Sequence, residues 1–342
     1  MLTVLDHLPD QLLELEAHQL YDRLGGPTLI HLRGRRDPPL FVSVLLHGNE
    51  TTGWQAVRQL LRCYRERELP RSLSLFIGNV RAARYGQRRL DGQPDYNRIW
   101  GPGSTPEHAM AEAVLRQMRQ RGVFASVDIH NNTGTNPHYA CVNYLDPSTL
   151  HLATLFGRTV LYFRRPEGVQ SMAFGRFCPA VTLECGKPDQ PYGTQHAYAF
   201  LQACLHLSAI PQRPVLRQDI DLFHSIAIVR IPEEVSFSFG EEESKPQGSQ
   251  PHLRFPPNLD LLNFRELPPH TCIGWTTNGF YLEVQDEQGQ NVAERFFYAQ
   301  DGEIRTRVPL VPAMLTLNSH IIRQDCLCYL MERCRTAVAN ED

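Results

Sequence analysis

The sequence predicts an α/β fold: a mostly parallel or mixed central sheet with helices on both faces, followed by a smaller C-terminal β domain. Three observations carry this. Strand-length apolar runs alternate with helically periodic segments up to about residue 211. The run Leu40–Leu46 is apolar almost throughout, as suits a strand covered on both faces. Beyond residue 212 helical periodicity fades, and short β-like runs separated by turn residues take over. The expected domains are 1–211 and 212–342.

Taken in order, residues 1–24 read as a short amphipathic helix and Pro27–Arg33 as a strand. Leu40–Leu46 is the buried strand. Thr51–Glu68 is helical, with Trp54, Val57, Leu60 and Leu61 on one stripe. Leu73–Ile77 is a strand, and Pro106–Arg121 is a helix closed by Gly122. Strands are expected at Phe124–Ile129, His138–Tyr144 and Ala180–Leu183, and helices at Ser148–Val160 and Gln195–Leu207. The β domain should contain strands at Ser225–Val229, Phe280–Val284, Arg295–Tyr298 and Ala313–Leu317, with helical turns near Arg323–Arg333. The polar stretch 240–251 reads as a mobile loop.

Bulk properties exclude several classes. With 42% hydrophobic and 21% charged residues, the chain can build a large core without staples. A net charge of -3 gives no global attraction to nucleic acid. No apolar run approaches the roughly 20 residues of a membrane helix, so no membrane association is expected. The N-terminus lacks the pattern of a signal peptide. Nine scattered cysteines without a CxxC pair read as reduced thiols of a cytoplasmic protein. Almost all positive charge is arginine, the better bidentate binder of carboxylates. A homo-oligomer is compatible with the sequence, which does not fix the assembly.

The chemistry concentrates at strand ends. Leu40–Leu46 runs into His47-Gly48-Asn49-Glu50, and Ser126–Ile129 runs into His130. Side chains at the carboxyl ends of neighbouring strands converge in the ligand crevice of an open α/β sheet. Two neutral imidazoles and a carboxylate suit Zn²⁺, and three protein ligands leave one position for water. Asp128 leaves its strand on the same face as His130 and is a candidate to orient an imidazole. Glu184 ends a further apolar strand, Ala180–Leu183, and a carboxylate there can shuttle a proton.

These segments resemble the aspartoacylase and succinylglutamate desuccinylase family of carboxypeptidase A-like zinc hydrolases. The resemblance rests on His47-Gly48-Asn49-Glu50, on the stretch 78–100 with Asn79, Gly86, Arg88, Asp95, Asn97 and Arg98, on Asp128-Ile129-His130, and on Leu183-Glu184-Cys185-Gly186. It implies one zinc ion per chain on His47, Glu50 and His130, and Glu184 as general base. It further implies a small anionic substrate, an N-acyl amino acid or a related carboxylate. Arg88 would stabilise the oxyanion, and Arg89 is the alternative to Arg88 as the family's substrate-binding arginine. Asn97 and Arg98 would clamp a substrate carboxylate. Arg176 is the nearest candidate for a further carboxylate-binding arginine, ahead of Arg164 and Arg165. Two other readings stand beside this one: a metallocarboxypeptidase acting on peptides, and a non-catalytic zinc-binding module that kept the fold.

Overall fold

The computed structural model describes residues 1–240, 251–277, 279 and 281–334. They form two compact units. The first holds Met1–Asn131 and His138–Leu222, and the second holds Asn132–Pro137 and Phe223–Cys334. The expected loop at 240–251 lies almost wholly outside the described residues.

In the first unit the strands are β1 (Thr3–Leu5), β2 (Thr28–Leu32), β3 (Leu40–Val44), β4 (Leu73–Ile77), β5 (Ala125–His130), β6 (Tyr139–Val142), β7 (Thr159–Tyr162) and β8 (Ala180–Glu184). Their spatial order is β1-β2-β4-β3-β5-β8-β6-β7. The central neighbours β4, β3, β5 and β8 run parallel, while β2 is antiparallel to β4 and β6 to β8. The sheet is therefore mixed around a parallel core, as expected. All five residues of β3, β4 and β8 are buried, which explains their near-continuous apolar sequence.

The helices are α1 (Leu20–Leu24), α2 (Thr52–Cys63), α3 (Val80–Ala83), α4 (Pro106–Arg121), α5 (Pro147–Phe156), α6 (Gln170–Phe174) and α7 (Pro191–His206). On one face α4 contributes Met110, Ala111, Val114, Leu115 and Met118 to a core shared with Phe41, Phe76 and Phe174. On the other face α2 lies directly on the sheet. A Cβ at Gly53 would stand 3.0 Å from both Ile129 Cβ and Val44 Cγ1, so any larger residue would push these side chains back by a few tenths of an ångström. The register puts Phe41, Ser43, Ser126, Asp128 and Thr182 on the α4 face. Adjacent β3 and β5 mark the switch point, because the chain leaves β3 for β4 on one side and returns to β5 on the other.

The second unit contains β9 (Asp221–Arg230), which begins just before the unit boundary, β10 (Phe237–Phe239), β11 (Leu253–Phe255), β12 (Cys272–Thr276), β13 (Glu283–Asp286), β14 (Phe297–Gln300), β15 (Glu303–Thr306), β16 (Val311–Ala313) and β17 (Cys328–Arg333). A five-stranded sheet, β10-β11-β12-β15-β14, stands separately from the pairing of β9 with β13 and β17. Its core includes Val229, Leu253, Phe255, Val284, Ile304 and Leu330. No helix among the described residues is long and apolar enough to cross a membrane.

Several expectations are corrected. Residues 1–24 are not one helix but β1, two single 3₁₀ turns and the short α1, because β1 pairs with β2. The helix expected at 148–160 stops at Phe156, before Gly157, and Thr159–Tyr162 is a strand. Arg295 lies in a short helix, α8 (Ala293–Phe296), with strand only from Phe297. The strand expected at 313–317 ends at Ala313. The last segment is helical only over α9 (Ser319–Gln324); Cys328–Arg333 forms β17, paired with β9 and β16. Within the strand expected at 280–284, Phe280 lies outside the described residues, and β13 starts at Glu283.

Candidate active site

The site grows from the ends of β3, β5 and β8. A positive φ of 56° at Leu45 breaks β3 away from the ladder and swings His47-Gly48-Asn49-Glu50 over the sheet edge. His130 is the last residue of β5, and its ladder partner on β8 is Glu184. Paired residues on parallel neighbours share a face, with strands about 4.8 Å apart. Glu184 therefore stands beside His130 on the same side of the sheet, and it is buried.

Donor atoms of His47, Glu50 and His130 all lie within 4.8 Å of one another, and all three residues are buried. Glu50 sits between the rings, with Oε1 2.8 Å from His47 Nδ1 and Oε2 2.7 Å from His130 Nδ1. The opposite ring edges each meet another carboxylate. His47 Nε2 is 2.9 Å from Asp95 Oδ1, and His130 Nε2 is 2.7 Å from Asp128 Oδ2. A carboxylate can only accept, so Asp95 and Asp128 can each hold a hydrogen on the Nε2 they face, and Nδ1, turned toward Glu50, is then the nitrogen that could ligate an ion shared with Glu50.

These buried groups also shift one another's charge. Burial works against the charge of Glu50, yet His47 and then His130 hold its carboxyl below the usual range. Burial likewise opposes the charge of Asp95, but His47 and Arg88 hold it well below normal. The His130 ring is pushed down by burial and then raised well above its ordinary value by Asp128 and Glu50. Four carboxylates, at Glu50, Asp95, Asp128 and Glu184, thus crowd a region where Arg88 and Arg98 are the nearby guanidinium groups. A buried cluster this rich in carboxylates can hold a cation, and a His₂Glu donor set suits a divalent ion of the zinc type. The residues present fit a metal ion.

The predicted arginines separate. Arg88 reaches the cluster, with Nη2 donating to Asp95 Oδ2 at 3.0 Å and Nη1 3.4 Å from Glu50 Oε1. Arg89 turns away and donates to the Gln93 carbonyl at 2.9 Å. Asn97 accepts from the Gln170 backbone N–H through Oδ1, which leaves its amide nitrogen toward His130, 3.4 Å from Nε2. Arg98 donates to the Asn97 carbonyl, and its charge helps to hold Asp95 ionised. The loop before α6 braces this segment. Gly168, at a φ of +76°, packs so closely that a Cβ would lie 2.4 Å from the Arg98 carbonyl oxygen. Arg176 follows α6 and makes no hydrogen bond or ion pair to any of these residues. Arg165 pairs with Glu167 at 3.3 Å.

Sequence reasoning gave no role to Asp95 or Asn131. Asp95 also accepts from the Asn97 backbone N–H at 2.7 Å, so it ties His47, Arg88 and Asn97 together. Asn131 donates its backbone N–H to Glu50 Oε2 at 3.1 Å and its side-chain amide to the Gly186 carbonyl at 2.8 Å. The only available signal was position: Asp95 opens the Asp-Tyr-Asn-Arg stretch, and Asn131 follows His130 directly.

The sequence profile of the succinylglutamate desuccinylase/aspartoacylase catalytic domain matches residues 37–210. The chain belongs to this family. The matched span contains His47, Glu50, Arg88, Asp95, Asn97, His130 and Glu184. Solved structures agree at the level of the fold. Succinylglutamate desuccinylase from Vibrio parahaemolyticus aligns with a TM-score of 0.59 at 13% identity, covering 90% of this chain and 86% of that one. Succinylglutamate desuccinylase/aspartoacylase from Rhodobacter sphaeroides gives 0.55 at 16%, covering 90% and 88%. Murine aminoacylase 3 gives 0.52 at 18%, covering 87% and 97%. No match was found among curated protein sequences.

Proposed function

We propose that the protein hydrolyses the amide bond of an N-acyl amino acid or a related small carboxylate, using one zinc ion held by His47, Glu50 and His130. The observation that carries this reading is the meeting of those three donor groups within 4.8 Å, beside a glutamate in ladder register with His130. Family membership supports amide hydrolysis as the reaction class. When bound, the ion polarises the amide carbonyl and brings a water's pKa toward about 7.

The chain's own residues do the rest. Glu184 accepts a proton from the attacking water and returns it to the amide nitrogen as the C–N bond breaks, so the leaving amine departs neutral. Arg88 stabilises the negative charge that grows on the carbonyl oxygen as water adds. Ion pairs to Glu50 and Asp95 hold the guanidinium in place, so little reorganisation is needed. Asn97 and Arg98 hold a substrate carboxylate, the arginine bidentately and the asparagine through its amide nitrogen. Arg176 remains the candidate for a second carboxylate, while Arg89 is committed to the Gln93 carbonyl.

The test is turnover of a panel of N-acetyl, N-succinyl and longer N-acyl amino acids by zinc-loaded wild-type protein and Glu184→Gln. Hydrolysis by wild type alone supports the reading. If no N-acyl amino acid is cleaved but peptides with a free C-terminus are, the protein is a carboxypeptidase. If neither is cleaved, a non-catalytic role stands.

A further inference from the structure

One polar side chain in this region is absorbed by neither the family motifs nor the reaction. Ser43 interrupts the apolar strand β3, Leu-Phe-Val-Ser-Val, and is fully buried. An unpaired hydroxyl in such surroundings is destabilising, so a serine there needs a partner. The β3–β5 register supplies it: Ser43 pairs with Asp128. The Ser43 hydroxyl donates to Asp128 Oδ1 at 2.6 Å, the short distance of a charge-assisted bond. The other oxygen, Oδ2, faces His130 Nε2 at 2.7 Å. Three side chains thus form a line across two strands, from Ser43 through Asp128 to His130.

The two imidazoles are braced unequally. Asp95, behind His47, also receives the Asn97 backbone N–H and the Arg88 guanidinium. Asp128, behind His130, is fully buried and takes its further hydrogen bond from the Ser43 hydroxyl. Nothing in that pair carries a second positive charge, so the orientation of the Asp128 carboxylate depends on one hydroxyl.

We infer that Ser43 is a positioning residue for the metal site. By pinning Asp128 Oδ1 it aims Oδ2 at His130 Nε2, which fixes the hydrogen on that nitrogen and turns Nδ1 toward the ion. This rests on the proposed use of His130 as a ligand. Removing outer partners of a ligating histidine typically weakens metal binding about 10–100-fold.

The experiment measures zinc affinity by competition with a fluorescent chelator for wild type, Ser43→Ala, Asp128→Asn and the double variant. Ser43→Ala is expected to bind zinc about 10-fold or more weakly and to add nothing in the Asp128→Asn background, because it acts through Asp128. Ser43→Cys keeps the volume with a weaker donor and should fall between wild type and Ser43→Ala. Melting of the zinc-free variants checks the scaffold. Equal affinity of wild type and Ser43→Ala, or the same loss in both backgrounds, overturns the inference about Ser43 alone. Wild-type protein that binds no zinc overturns this inference together with the proposed function.

Discussion

The site has a strand-held half and a loop-held half, and they are built differently. His130, Asp128, Glu184 and Ser43 sit at fixed ladder positions on β5, β8 and β3, so backbone hydrogen bonds set their spacing. His47, Glu50, Arg88, Asp95 and Asn97 lie on segments outside the ladder. There, side-chain bonds and single backbone contacts outside any ladder set the geometry. Gly48 N–H donates to the Arg88 carbonyl at 3.1 Å, and Asn79 and Gln93 exchange two hydrogen bonds across the loop, at 2.9 and 3.1 Å. A strand-held residue should therefore fail locally when substituted. A loop-held one should disturb several neighbours together.

The largest effect is expected in the strand-held half. Glu184→Gln should lower kcat by about 10²–10⁴-fold while zinc content stays at the wild-type level. Loss of the metal along with the activity would show that this half is not independent of its neighbours. Steady-state kinetics and metal analysis on one preparation separate the two outcomes.

Arg88→Ala is the matching test of the loop-held half. Removal of an oxyanion donor typically lowers kcat about 10²–10³-fold. Because Arg88 touches both Glu50 and Asp95, zinc affinity should fall as well. Arg88→Lys should restore little, since a lysine cannot span both carboxylates with a planar fork. A pure kcat effect with unchanged zinc binding would break the contrast between the halves.

Asp95→Asn should weaken zinc binding about 10–100-fold and also raise KM, because Asp95 positions Asn97 through its backbone N–H. Chelator competition and KM measured on the same variant check this. An affinity loss without a KM change would mean that the loop does not act as a unit.

The smallest effect calibrates the scaffold away from both halves. Asp146 caps α5 through the Thr149 N–H at 3.0 Å and accepts from Ser148. Burial is the largest single influence and raises its pKa, but these hydrogen bonds together outweigh it and lower it. A depressed carboxyl stabilises the fold above the unfolded pKa of about 3.9 and loses that contribution as pH falls through the folded value. Asp146→Ala should therefore cost about 1 kcal/mol at pH 7, and the gap to wild type should close in acid. Denaturant titrations at neutral and acid pH measure it, and kcat should not change.

The strand-held half was the more legible in sequence, for a physical reason. Apolar runs that end in His130 and Glu184 declare both the strand and the polar tip. His47 and Glu50 were legible because they follow such a run directly. Asp95 was not, because its contact with His47 spans 48 residues and depends on a loop path that no periodicity encodes. The same limit explains the fold errors. β7 is a four-residue apolar segment just past a helix, where helical and extended readings look alike. β1 and β17 are strands because tertiary pairing outweighs their local preference.

The most direct test is anomalous diffraction at the zinc edge from crystals grown with zinc. One strong peak per chain is expected, in contact with Nδ1 of His47, Nδ1 of His130 and the Glu50 carboxylate, with Glu184 facing it. A peak on the Nε2 side of either ring, or a zinc-saturated protein with no peak between these residues, would contradict it.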